Sequence, residues 1–396
     1  MKIPITVVTG FLGSGKTTLL SRMLEDSSMK DTAVLVNEFG EVGLDHHLLR
    51  RVNERTVLLG SGCVCCATRG DLVDSLVELV GVKEREEARV ERVVIETTGL
   101  ADPAPILFTA VSDPILQHRF EIEAVVATVD AVNGNLHLDA NPEAAKQIAA
   151  ADSIVVTKTD MAEVGSARSL VSRLISMNPS ASVIEASFGD VEPSNLFRRT
   201  TIHDTPNFSS PTPHDSPRTH SVSLTFDGPV EWAAFGAWLS MLLHARGEGI
   251  LRVKGLLDVG GDGPVVLDGV QHVIHPPRHL DAWPDDDTRT RIVFITKDIG
   301  TDDILDSLEA FAGLLGAKRS SIATSGGRDI FPVFASQGYG GGVDLSRTAS
   351  NISSSDESIL RASRRFICFP RSIRRGPIRG LAALRPRNRN PSRLPR

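Results

Sequence analysis

The stretch GFLGSGKTT, Gly10 to Thr18, decides how this chain is read. It fits the spacing G-x-x-x-x-G-K-[ST], follows the apolar run IPITVVT and precedes helical spacing at Leu19, Leu20, Met23 and Leu24. Glycines at Gly10, Gly13 and Gly15 let successive backbone N–H groups, those of Ser14 and Thr18 included, turn inward on a phosphate. The helix N-terminus adds its positive end there. Lys16 is spaced to reach the β- and γ-phosphates, and Thr17 to offer its hydroxyl oxygen to Mg²⁺.

Working outward, short β-rich runs alternate with helical patterns as far as Glu185. After IPITVVT come TAVLVN, RTVLL, VERVVIE, AVVATVD, SIVVT and ASVIEA, with helical spacing between them at Leu72, Leu76 and Val80. Such alternation predicts an α/β domain with a mainly parallel sheet covered on both faces. Three strand ends carry chemistry. RVVIETTG places Glu96 where a carboxylate can hold Mg²⁺ through water, and Gly99 where the backbone can pivot with a γ-phosphate. SIVVTKTD places Lys158 to cover a base and Asp160 to accept from guanine N1–H and N2–H₂, a donor pair that adenine lacks. EASFGD adds Ser187 in a base-contacting loop. In this order the motifs favour GTP over ATP.

The chain holds four cysteines, and three of them, Cys63, Cys65 and Cys66, crowd into GSGCVCC after RTVLL. This is no disulfide framework, and it suits a reducing cytoplasm. Thiolates bind Zn²⁺, and this spacing can supply two or three of four tetrahedral ligands on the nucleotide face of the sheet. Glu38 and Glu41 in NEFGEVGLDHH lie where a loop closing over a γ-phosphate is expected, so either is a candidate metal or Mg²⁺ contact. His46 and His47 read as surface residues.

The segmentation predicts a nucleotide-binding domain over residues 1–197, a linker over 198–218 rich in Ser, Thr, Pro and His, and a small α+β domain over 219–316. An Arg-rich tail over 317–396 is expected to be disordered. From Arg361 onward there are twelve arginines and no acid, so the remainder of a chain of net charge −6 is strongly acidic. No apolar run reaches membrane-spanning length. The N-terminal run is too short, and meets the glycine loop too soon, for a signal peptide.

Taken together, the P-loop, NEFGEVGLD, GCVCC, ETTGLADPAP and TKTD resemble the CobW-type metallochaperone GTPases, and ILRVKGLL and GVQHVIH are similar to that family's C-terminal domain. The resemblance covers about residues 3–316. It implies slow GTP hydrolysis with Mg²⁺ on Thr17 and Glu96, coupled to carrying a metal to a client metalloprotein. That metal is most often Zn²⁺ on Cys63, Cys65 and Cys66, with Glu41 in the acidic loop. Delivery of Co²⁺ or Fe²⁺, for cobalamin synthesis or nitrile hydratase activation, and a non-catalytic metal-sensing module are the alternatives. A nucleotide-dependent homo-oligomer is compatible with it, and no specific nucleic-acid partner is expected. Thr157 stands where N-K-x-D has Asn, which implies somewhat weaker base recognition.

Overall fold

A computed structural model describes residues 2–36, 57–59, 69–85, 89–197 and 219–324. Its first layer is a parallel sheet of β1 (Ile3–Gly10), β2 (Thr32–Val36), β3 (Val57–Leu59), β4 (Arg92–Glu96), β5 (Phe120–Asp130), β6 (Ser153–Thr157) and β7 (Ser182–Glu185). The strand order is β3-β2-β4-β1-β5-β6-β7, so all seven apolar runs become strands. Sequence order reverses around β1, and the crevice at such a point is where open α/β sheets bind ligands.

Period-two alternation divides each central strand between two cores. Ile5, Val7, Ala33, Leu35, Val93 and Ile95 face one way, with Leu76 and Leu79 of α2 (Arg69–Glu84) and Leu107 of α3 (Ala104–Ser112). Val8, Val34 and Val94 face the other way, against Leu19, Leu20, Met23 and Leu24 of α1 (Lys16–Glu25). Burial on both faces is why these strands read as unbroken apolar runs rather than as alternation. After α4 (Leu116–Arg119), helices α5 (Gly134–Ala140), α6 (Pro142–Ala150) and α7 (Val164–Met177) cover β5 and β6. A single turn, α8 (Pro193–Leu196), closes the domain.

The second domain is an antiparallel sheet, β11-β10-β9-β13-β8-β14, with a short β12 beside β10. Its strands are β8 (Thr219–Asp227), β9 (Ile250–Leu257), β10 (Val265–Val270), β11 (Val273–Ile274), β12 (Arg278–His279), β13 (Thr290–Lys297) and β14 (Lys318–Thr324). Helices α9 (Trp232–Arg246) and α10 (Thr301–Glu309) bury Phe235, Trp238, Leu239 and Ile304 with Val222, Val253 and Phe294.

PVVLDGVQHVI folds as the hairpin β10–β11, because Gln271 takes a left-handed φ of 52° and reverses the chain. One expectation is corrected here. The expected end of ordered structure at residue 316 falls short. Lys318–Thr324 forms β14, pairing antiparallel with β8 from Lys318↔Asp227 to Thr324↔Val222. Backbone pairing along an otherwise open edge is a reward that composition does not display. Beyond Thr324, the expected tail lies outside the described residues, as do the linker residues 198–218. Among the described residues, no helix is long and apolar enough to cross a membrane.

Candidate functional site

The loop from β1 to α1 is built on glycines with φ of 142° at Gly10, 71° at Gly13 and 89° at Gly15. At Gly10 a Cβ would sit 2.3 Å from Thr128 Oγ1 and 2.5 Å from the Thr128 carbonyl oxygen, so no side chain fits. The loop closes on itself through Ser14 N–H, which donates to the Phe11 carbonyl at 3.1 Å. The Ser14 and Thr128 hydroxyls are 2.6 Å apart and buried. Lys16 Nζ donates to the carbonyls of Gly10 at 2.9 Å and Phe11 at 3.1 Å, which holds the ammonium over the loop. The first turn of α1 carries no acid to offset its positive end. A backbone cradle with one cation at a helix N-terminus fits a polyphosphate.

Glu96 and Gly99 stand beside it. The parallel register Val8↔Glu96 brings the β4 carboxylate level with the loop, and Thr17 Oγ1 donates to Glu96 Oε1 at 2.8 Å. A hydroxyl and a buried carboxylate in contact form a hard oxygen donor set suited to Mg²⁺. Gly99 lies against the P-loop itself, where a Cβ would meet Leu12 N at 2.6 Å and Leu12 Cα at 2.7 Å. The turn after β4 and the phosphate loop are therefore in direct backbone contact.

The TKTD and EASFGD motifs come together at the ends of β6 and β7. Lys158, at φ 56°, pairs with Asp130 Oδ2 at 2.7 Å. Burial pushes the Asp130 carboxyl up, but Lys158 and the donors of Val132 and Asn133 outweigh this and hold it below the usual range. Asp160 is exposed beside them. The Ser187 and Thr159 hydroxyls are 2.8 Å apart. Gly189, at φ 74°, lets this loop pack against the α1 backbone at Thr18 and Leu19, with Thr18 otherwise exposed. The Thr157 hydroxyl donates to Ser14 O at 2.7 Å and Val129 O at 3.2 Å, which ties the end of β6 to the P-loop.

Cys63, Cys65, Cys66, Glu38, Glu41, His46 and His47 lie outside the described residues. Strand β3, which leads into the cysteines, is three strands from β1 in the sheet order. At about 4.8 Å per strand its end is roughly 14 Å from the P-loop strand, on the same edge of the sheet. Among the described residues, no group of three His, Cys, Asp or Glu side chains is placed to hold a metal ion.

Residues 4–185 match the family model "CobW/HypB/UreG, nucleotide-binding domain", and residues 219–312 match "Cobalamin synthesis protein cobW C-terminal domain". The chain is 33% identical over 323 residues to the zinc chaperone YjiA of Escherichia coli, covering 79% of this chain and 98% of that one. The chain belongs to the CobW family. Similarity extends to the zinc chaperone CobW of Pseudomonas aeruginosa, 29% identical across 75% of this chain and 88% of the relative. A crystal structure of Zn(II)-bound YjiA GTPase from E. coli superposes with a TM-score of 0.61 at 28% identity, covering 78% of this chain and 99% of that one.

Within this CobW-family chain, several site residues escape motif reading. Thr128 and Asp130 end a strand recognised only for its apolar pattern. Thr97 Oγ1 donates to Thr9 Oγ1 at 2.9 Å beneath the loop. Gln147 of α6 donates to the carbonyls of Gly99 and Ala101 at 3.1 and 3.0 Å. No local pattern marks Gln147, because its partners lie 46 and 48 residues away in sequence.

Proposed function

We propose that this P-loop GTPase of the CobW family is a metallochaperone that carries Zn²⁺ on the thiolates of Cys63, Cys65 and Cys66, with Glu41, and passes it to a client metalloprotein. The observation that carries the reading is similarity to a zinc chaperone across both domains, in a chain that also holds the C-x-C-C run. Cytoplasmic placement follows from the need to keep those thiols reduced.

In this reading the backbone of Gly10–Thr18 cradles the phosphates of GTP, and Lys16 moves from the loop carbonyls onto the β- and γ-phosphates. Thr17 and Glu96 would hold Mg²⁺, whose charge would offset that of the phosphates. Lys158 covers the guanine ring while Asp160 accepts its two donors, and Ser187 closes the base loop. Gly99, in contact with Leu12, moves with the γ-phosphate. Hydrolysis then serves as a timing signal for metal release rather than as covalent chemistry on the client.

The test is metal content of the purified full chain with GTP or GDP bound, beside a Cys63→Ala, Cys65→Ala, Cys66→Ala triple variant. Zinc at about one per chain, lost in the triple variant and released faster with one nucleotide, is the expected result. Cobalt or iron in place of zinc would redirect the cargo assignment. Equal metal in all samples would leave the GTPase alone standing.

A further inference from the structure

The turn that carries Gly99 is gripped from a direction the nucleotide motifs do not explain. Gln147 holds the carbonyls of Gly99 and Ala101, as described above. Its neighbour Lys146 reaches Asp102 Oδ2 at 3.0 Å. A third hold comes from the second domain, where Gln271 Nε2 donates to the same Asp102 oxygen at 2.7 Å, across 169 residues of sequence.

Gln271 is an odd choice for its place. It opens the two-residue turn between Val270 and Val273 with φ 52°, a conformation in which hairpins ordinarily use glycine or asparagine. A side chain tolerated in such a backbone points to a use for that side chain. The rest of the hairpin tip is also committed to the first domain. His272 packs its ring on Phe108 of α3, centroids 5.3 Å apart, and Val270 is buried in the same cluster as Leu107 and Ala110. A path therefore runs from Leu12 of the P-loop through the Gly99–Asp102 turn, which Gln147 and Lys146 hold, to Gln271.

We propose that Gln271 is a positioning residue for GTP hydrolysis: through Asp102 it sets the Gly99 turn against the P-loop, so the second domain biases the nucleotide site between its GTP and GDP arrangements. The inference rests on the GTPase reading of the site but not on the metal. Linkage makes it reciprocal, so that a partner displacing the hairpin would alter the ratio of GTP to GDP affinity, and bound nucleotide would alter the hold on the hairpin.

The experiment uses the full chain with Gln271→Gly, which removes the amide while easing the backbone, and Gln271→Asn, which suits the turn but is too short to reach Asp102. Turnover (kcat and KM), GTP and GDP affinities and thermal unfolding are measured for each, alone and combined with Asp102→Asn. The expected result is an unchanged melting temperature and GDP affinity, with kcat or the GTP-to-GDP affinity ratio shifted by about fivefold or more. No further shift is expected from either Gln271 variant in the Asp102→Asn background. Folded variants with kcat and affinity ratio within twofold of the unaltered chain would overturn the proposal. So would equal losses for GTP and GDP, or effects that simply add to those of Asp102→Asn. Failure of the unaltered chain to bind or hydrolyse GTP, with Lys16→Ala making no difference, would instead overturn the reading of the site itself.

Discussion

Thr17 Oγ1 donates to Glu96 Oε1 at 2.8 Å, joining two residues 79 positions apart at the point where β4 ends beside the P-loop. Each supplies an oxygen of the kind Mg²⁺ prefers, and the register of β1 with β4 makes them neighbours. Thr17→Ala and Glu96→Gln should each lower kcat for GTP by about 100-fold, the equivalent of roughly 3 kcal/mol of lost charge stabilisation. GDP affinity measured without Mg²⁺ should change little. A titration of turnover against Mg²⁺ checks this, and an unaltered Mg²⁺ dependence in both variants would remove the pair from the metal site.

Gly99→Ala introduces a Cβ within 2.6 Å of the Leu12 backbone nitrogen, an atom that cannot swing aside as a side-chain tip would. The variant should lose about 1–3 kcal/mol of stability, as overpacked sites do, and bind GTP more weakly than it binds GDP relative to the unaltered chain. Denaturant unfolding and nucleotide titration read the two effects separately.

Thr157 and Asp160 sit in one four-residue motif, one bonded to the P-loop and the other exposed, and two variants should separate them. Thr157→Val keeps the shape and deletes the donor to Ser14 O and Val129 O. It should cost about 1–3 kcal/mol and weaken GTP and GDP alike, with the preference for GTP over ATP intact. Asp160→Ala, at an exposed position, should leave stability alone and reduce that preference by about tenfold or more. Competition binding with ATP is the measurement.

The two domains are pinned by a buried ionic cluster. Arg252 of β9 donates to Ala150 O at 2.8 Å and to Asp152 Oδ1 at 2.6 Å, pairs with Asp268 at 2.9 Å, and is 1% exposed. Lys254 joins Asp152 at 2.8 Å. Burial raises the Asp152 carboxyl, yet Arg252, Lys254 and the Val125 N–H outweigh it and hold the group far below the usual range. The folded state therefore resists protonating Asp152 more than the unfolded chain does, whose value is about 3.9. Its contribution is fully present above that value and is lost as pH falls through the depressed folded value. Arg252→Met should destabilise by about 3–5 kcal/mol, because it leaves buried carboxylates short of a partner. Asp152→Asn should flatten the fall of stability below about pH 4. Urea unfolding at stepped pH tests both.

How much of this was legible beforehand differs from element to element. RVVIE and SIVVT declared themselves as strands because both their faces are buried, which leaves an uninterrupted apolar signal. KRSSIAT did not, since β14 forms an edge pair with β8 through the backbone and its composition is that of a loop. The hairpin at Gln271 was hidden because its turn residue is neither glycine nor asparagine. Thr157 was read only as the departure from N-K-x-D, and the tie of its hydroxyl to Ser14 O, 143 residues away, left no mark in the motif.

The sequence by itself determined the phosphate loop, the order of the nucleotide motifs and the parallel α/β core. Each of these is a local spacing requirement, imposed by backbone geometry around a phosphate or by burial. Only the tertiary structure decided that Lys158 pairs with Asp130, that Arg252 docks on Asp152, and that Gln271 reaches Asp102. Those partners lie 28, 100 and 169 residues apart. Their meeting depends on strand order and on the packing of one domain against the other, and neither of these leaves a periodic mark in the chain.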